Sequence, residues 1–148
     1  MRTTSRVRTL RRAVTALASR ARAERAGELS LTQVAVLGRV IAEGPITPGE
    51  LGAQLAMSPQ SLTRPLGSLE RAGLVVRTPD PADGRGALLA VTEHGRRAMR
   101  AEMAPRERWL AAAVEATCSP EEQDLLARAA EVMLKVAAYG GGVSPVEP

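Results

Sequence analysis

The chain has 148 residues, 45% of them hydrophobic, with one tryptophan, one tyrosine and no phenylalanine. It carries a formal net charge of +4, one cysteine (Cys118) and one histidine (His94), so neither an intrachain disulfide nor a cysteine-based metal site can form. The sequence has no run of 18 apolar residues to span a membrane and no apolar segment of a signal peptide at its start, so a cytoplasmic location is expected.

This length is normal for one domain. A core drawn from Leu, Val, Ala and Met suits helix-on-helix packing, so a mainly α fold is expected. Charge is unevenly spread. Residues 1–26 hold eight arginines against one glutamate, whereas residues 101–148 hold eight acidic residues against four basic ones. A sequence pI of about 10.5 permits nucleic-acid binding without requiring it.

Residues 5–26 read as a helix. Val7, Leu10, Val14, Leu17 and Ala21 alternate steps of three and four, the spacing of a packing seam, and Gly27 is the expected stop. So polar a helix needs a partner, from its own chain or another. Residues 31–43 form a second helix with Leu31, Val34, Leu37 and Ile41 inward, stopped by Gly44-Pro45. Ile46 is a candidate for a short strand. Thr47-Pro48-Gly49-Glu50 is a capping box opening a short third helix that carries Leu51 and Leu55.

The next helix organises the chain. Ser58 is a good N-cap, Pro59 fits the first helical position, and Gly73 is a natural stop. Leu62, Leu66 and Leu69 form an apolar stripe, and Gln60, Ser61, Arg64 and Ser68 fall on the opposite face. Such a face suits the major groove, where Arg pairs with guanine and Gln with adenine. A merely solvated polar face is the plain alternative. Two short helices joined by a tight turn, the second polar outward, make a helix-turn-helix.

After Gly73 the period changes. Leu74–Arg77 and Ala87–Val91 are β runs flanking a loop, Thr78 to Gly86, dense in turn formers; together they predict a hairpin wing. Thr92 caps a helix over 93–117, with Met99, Met103, Leu110, Ala113 and Val114 inward and a kink expected at Pro105. Ser119-Pro120-Glu121-Glu122 caps a last helix to about Tyr139, with Leu125, Leu126, Ala129, Val132, Met133 and Val136 inward. The glycines at 140–142 end it, and residues 140–148 read as a disordered tail.

From Leu31 to Met99 the chain resembles the MarR family of winged-helix transcriptional regulators. The matching pieces are Leu31-Thr32-Gln33 with Leu37, Ile46 to Leu51, Ser58 to Arg64, Leu69 to Val75, Arg77, Asp83-Gly84-Arg85 and Leu89 to Gly95. The resemblance implies one domain over 1–139: a DNA-binding lobe at 30–100 and dimerisation helices at 5–26 and 100–139. It implies a homodimer on a pseudo-palindromic double-stranded DNA operator. The DNA-contacting set would be Ser58, Gln60, Ser61, Thr63, Arg64, Ser68, Arg71, Arg77, Asp83 and Arg85, with Asp83 orienting Arg85 toward a minor groove. It also implies a repressor released by a small-molecule effector, often an aromatic acid in this family; Trp109 and the first-helix arginines are conceivable contacts, but Trp109 reads first as core or interface, and no effector residue is assigned.

Three departures stand out. Pro65 lies inside the recognition helix, the wing has Gly86 where many relatives carry a second cation, and the first helix lacks the cysteine that some members use to sense peroxide. Cys118 reads as a small inert residue. For an enzyme there is no Ser/His/Asp set, no Gly-rich phosphate loop and no metal-ligand spacing, so no catalytic residue, metal or cofactor is expected. A winged helix serving as a protein-interaction module, without sequence-specific DNA binding, is the remaining alternative.

Overall fold

The computed structural model describes residues 2–24, 27–84 and 86–139. Its elements are α1 (Arg2–Ala23), α2 (Leu31–Glu43), α3 (Pro48–Gln54), α4 (Pro59–Arg71), β1 (Val75–Pro79), β2 (Ala87–Val91), α5 (Glu93–Thr117) and α6 (Pro120–Ala137). This is a mainly helical winged helix-turn-helix with a two-stranded antiparallel wing. The expected tail at 140–148 lies outside the described residues, as do Arg25, Ala26 and Arg85.

Side-chain caps of one kind start α2, α3, α4 and α6. Ser30, Thr47, Ser58 and Ser119 each accept a hydrogen bond from the backbone N–H three residues on. At Ser30, Thr47 and Ser119 the third residue's side chain returns a bond to the cap's own N–H, which satisfies two orphan donors at once. α1 closes earlier than Gly27 would allow, because the Glu24 N–H turns back to the Ala21 carbonyl at 3.1 Å and tightens the last turn. β1 begins at Val75 rather than Leu74 for a similar reason: the Leu74 N–H closes α4 by donating to the Leu69 carbonyl at 3.0 Å. α4 and α5 run unbroken through Pro65 and Pro105.

In the wing, Val75 pairs with Val91 and Pro79 with Ala87. Ile46 adds a one-residue bridge to Leu89, exchanging bonds of 3.1 and 2.8 Å, so the expected short strand shrinks to one pair. Among the described residues, the buried hydrophobic side chains run from Val36 to Leu89: Val36, Leu37 and Val40 of α2, Ile46, Leu51 of α3, Leu62, Leu66 and Leu69 of α4, Leu74, Val75 and Leu89. Met99 and Ala98 of α5 pack against them. The α5 start is pinned by Thr92, whose hydroxyl donates to the Gly73 carbonyl at 2.6 Å and accepts from the Gly95 N–H at 2.9 Å. Gly95 is required there, since a Cβ would overlap the Leu74 carbonyl.

Two compact units meet within α5, Met1–Arg108 and Trp109–Pro148. In the first, α1 leaves Val7, Leu10, Val14 and Leu17 exposed. In the second, no residue of α6 is buried. Its Leu125, Leu126, Val132, Met133 and Val136, expected to face inward, lie at the surface of the single chain. Among the described residues one charged side chain is buried: Glu102, whose Oε1 accepts from Arg106 Nη2 at 3.1 Å, one helical turn away.

Candidate nucleic-acid interface

The recognition helix is α4, and its position follows from its inner face. Leu62, Leu66 and Leu69 are at most 3% exposed, so the helix cannot rotate about its axis without emptying the core. Both of its ends are set by left-handed residues. At the entrance Ala56 has φ 51°, and the Met57 N–H reaches back to the Gly52 carbonyl at 2.9 Å. At the exit Gly73 has φ 69°, and Leu74 reaches back to Leu69 at 3.0 Å. Both are Schellman closures, in which one left-handed residue lets the chain reverse and satisfy the last carbonyls.

The outer face then presents its side chains in distinct states. Gln60 and Arg64 are exposed and make no intramolecular hydrogen bond or ion pair among the described residues. Ser58 and Ser61 share a hydroxyl contact of 2.9 Å, and Ser58 also caps the helix by accepting from the Ser61 N–H at 3.1 Å. Thr63 donates its proton to the Pro59 carbonyl at 2.8 Å, so it can offer a partner only lone pairs and a methyl group. Ser68 is half-buried and accepts from Gln33 Nε2 at 3.0 Å. Arg71 folds back over Gly67. Arg77, on β1, donates through Nε to Glu70 at 2.8 Å, which offsets part of its charge.

At the wing tip Asp83 is exposed, and its carbonyl accepts from the Gly86 N–H at 2.8 Å. Asp80 accepts from the Ala82 N–H at 2.9 Å and tightens the loop. Arg85, and with it the expected forked pair to Asp83, falls outside the described residues. His94 is exposed in the first turn of α5.

Sequence reasoning overlooked three residues beside this face. Ser30, Thr32 and Gln33 join Ser61, Arg64, Pro65 and Ser68 around an open groove of about 480 Å³. The signal was present: Ser30-Leu31-Thr32-Gln33 has the spacing of a capping box. Among the described residues no group of three His, Cys, Asp or Glu could hold a metal, and no helix is long and apolar enough to cross a membrane. A face of hydroxyls, an amide and a guanidinium, carried on a helix fixed from behind, is fit to bind an anionic, hydrogen-bonding duplex.

Comparison with known proteins agrees. A MarR family model matches residues 28–86. An HTH-type transcriptional regulator of Mycobacterium tuberculosis is 40% identical over 106 residues, which are 72% of this chain and 73% of the relative. A transcriptional regulator from Pseudomonas aeruginosa superposes with a TM-score of 0.81 at 32% identity, covering 95% of this chain and 98% of that one. A MarR family protein from Bacillus stearothermophilus gives a TM-score of 0.75 at 26% identity, covering 93% and 97%. The fold is thus shared with known transcriptional regulators, and the chain belongs to the MarR family of DNA-binding transcriptional regulators.

Proposed function

We propose that this protein is a dimeric, sequence-specific repressor that acts in the cytoplasm on a pseudo-palindromic operator. The observation that carries this reading is the state of Gln60 and Arg64, exposed and unengaged on a helix locked by three buried leucines. Arg64 would pair with guanine and Gln60 with adenine. Thr63 would offer its methyl group to thymine. Ser58, Ser61, Ser68, Arg71 and Arg77 would hold phosphates and set register. Asp83 and Arg85 would bring the wing to the flanking minor groove.

The dimer rests on the exposed apolar rows of α1 and α6. On this reading residues 30–100 are the DNA-binding lobe of one domain, and residues 5–26 and 100–139 serve dimerisation. A second copy covering the rows would place two recognition helices about one duplex turn apart, roughly 34–36 Å. Repression would follow from occupancy of the operator, and a small-molecule effector would relieve it by preferring a different helix spacing. An aromatic acid would find its cations on α1, where Arg8, Arg11 and Arg12 are exposed.

Selection of bound fragments from random DNA with the purified protein tests the whole reading. The expected product is an inverted repeat. Arg64→Ala should then cost about 1–3 kcal/mol on that site and relax its specificity. Arg71→Ala should weaken all duplexes alike and reduce the salt slope by about one. Binding with no preference over scrambled DNA would instead favour the protein-interaction module.

A further inference from the structure

Gln33 occupies the third position of α2 and serves two elements at once. Its side-chain oxygen accepts from the Ser30 N–H at 2.7 Å, and its side-chain nitrogen lies 3.0 Å from Ser68 Oγ on α4. The direction of these bonds is fixed by elimination. A backbone N–H can only donate, so the amide atom facing Ser30 must be the oxygen. The other end is then the NH2 group, which also can only donate. Ser68 Oγ must therefore accept from Gln33. Its own proton is not used there and finds no acceptor among the described residues.

That proton is offered into the groove lined by Ser30, Thr32, Gln33, Ser61, Arg64, Pro65 and Ser68. The lining holds four hydroxyls and a guanidinium and has no carboxylate. We propose that Gln33 is a positioning residue for DNA binding, fixing Ser68 as a hydrogen-bond donor to a backbone phosphate oxygen of the duplex. The inference rests on reading the outer face of α4 as the DNA surface. It adds that the α2 cap dictates the polarity of that contact.

A double-mutant cycle tests it. Gln33→Glu keeps the capping box, since Glu at this position accepts from the cap N–H as Gln does. A carboxylate cannot donate, so Ser68 must turn its proton toward it and show the duplex only lone pairs. Gln33→Glu should weaken binding to all duplexes by about tenfold, the scale of one charge-assisted hydrogen bond. Ser68→Ala should lose a similar amount. In the Ser68→Ala background, Gln33→Glu should cost markedly less. Gln33→Met, which gives up the return bond of the capping box and frees the Ser68 hydroxyl to turn, should weaken DNA binding by about threefold, less than Gln33→Glu does, while melting earlier.

Equal costs of Gln33→Glu in both backgrounds would reduce the effect to added negative charge and overturn the proposal. So would a Gln33→Met loss as large as that of Gln33→Glu, or unchanged affinity in Ser68→Ala. If the unmodified protein binds no duplex, the functional reading itself fails; only a wild type that binds DNA without this coupling counts against Gln33 alone.

Discussion

The winged lobe and the outer helices are built from the same few apolar residue types, yet they end in opposite states. Leu37, Leu51, Leu69 and Leu89 are wholly buried, whereas Leu125 and Leu134 of α6 are 63% and 72% exposed. Spacing does not separate the two groups, since both follow helical or strand periods. Packing partners do. The lobe brings three helices and a hairpin around one core, so each apolar face finds another within a short stretch of chain. α1 and α6 carry apolar rows that remain exposed among the described residues. A period in the sequence says that a face is apolar; it does not say which chain will cover it.

The largest test of this contrast is Leu37→Ala. It removes a fully buried side chain and should cost about 2–5 kcal/mol, transfer and cavity terms together. Urea melts at protein concentrations a hundredfold apart should show the loss at both. A loss that appears only at the higher concentration would mean that the lobe also depends on a second copy.

The opposite test is the double substitution Leu10→Glu with Leu17→Glu. Both positions are nearly half-exposed already, so the helical circular-dichroism signal of the chain should survive. If a second copy covers α1, two charges placed in that seam should raise the dimer dissociation constant by a hundredfold or more, about 3 kcal/mol. Sedimentation at micromolar concentration is the measurement. An unchanged dimer would show that α1 is covered by something else.

Much of the lobe could be read from its residues, for identifiable reasons. Caps and turns are local chemistry: Thr47 with Glu50, Ser58 with Pro59, and Gly73 all act within a few residues of themselves. The alternation of Leu62, Leu66 and Leu69 predicted their burial because the lobe folds onto itself. What could not be read involved distant partners. The bond from Gln33 to Ser68 spans 35 residues, and that from Arg77 to Glu70 joins strand to helix. Ala56 was invisible for a different reason: alanine gives no warning of a left-handed turn, because glycine usually takes that place.

Ala56 and Gly73 allow a smaller test inside the lobe, since they make the same turn with different residues. Gly73→Ala adds a methyl group with nothing within 4 Å, so its cost is conformational alone, about 1 kcal/mol. Ala56→Gly should relieve the same strain and stabilise the protein, by less than ~1 kcal/mol because the unfolded chain gains freedom. Opposite shifts in the urea midpoint are expected. Shifts of the same sign would show that contacts, not backbone strain, govern one of the two turns.

The smallest effect lies in two exposed carboxylates, one at a cap in each region. Hydrogen bonds from the Thr47 N–H and then its hydroxyl hold Glu50 below the usual carboxylate range. For Glu121 the Ser119 hydroxyl comes first. A lowered pKa in the folded state adds stability above the unfolded value of about 4.3, and that stability fades as pH falls through the lower folded value. Glu50→Gln and Glu121→Gln retain an acceptor but do not titrate. Melts between pH 7 and pH 3 should therefore show each wild-type advantage shrinking on the acid side. The Glu50 difference should be independent of protein concentration, since α3 belongs to the lobe that closes on itself. The Glu121 difference should emerge only where chains associate, because α6 has no buried residue of its own and its cap matters only once the helix is covered. A Glu121 effect of equal size at every concentration would mean that α6 is held within its own chain, and the contrast between the two regions would fall.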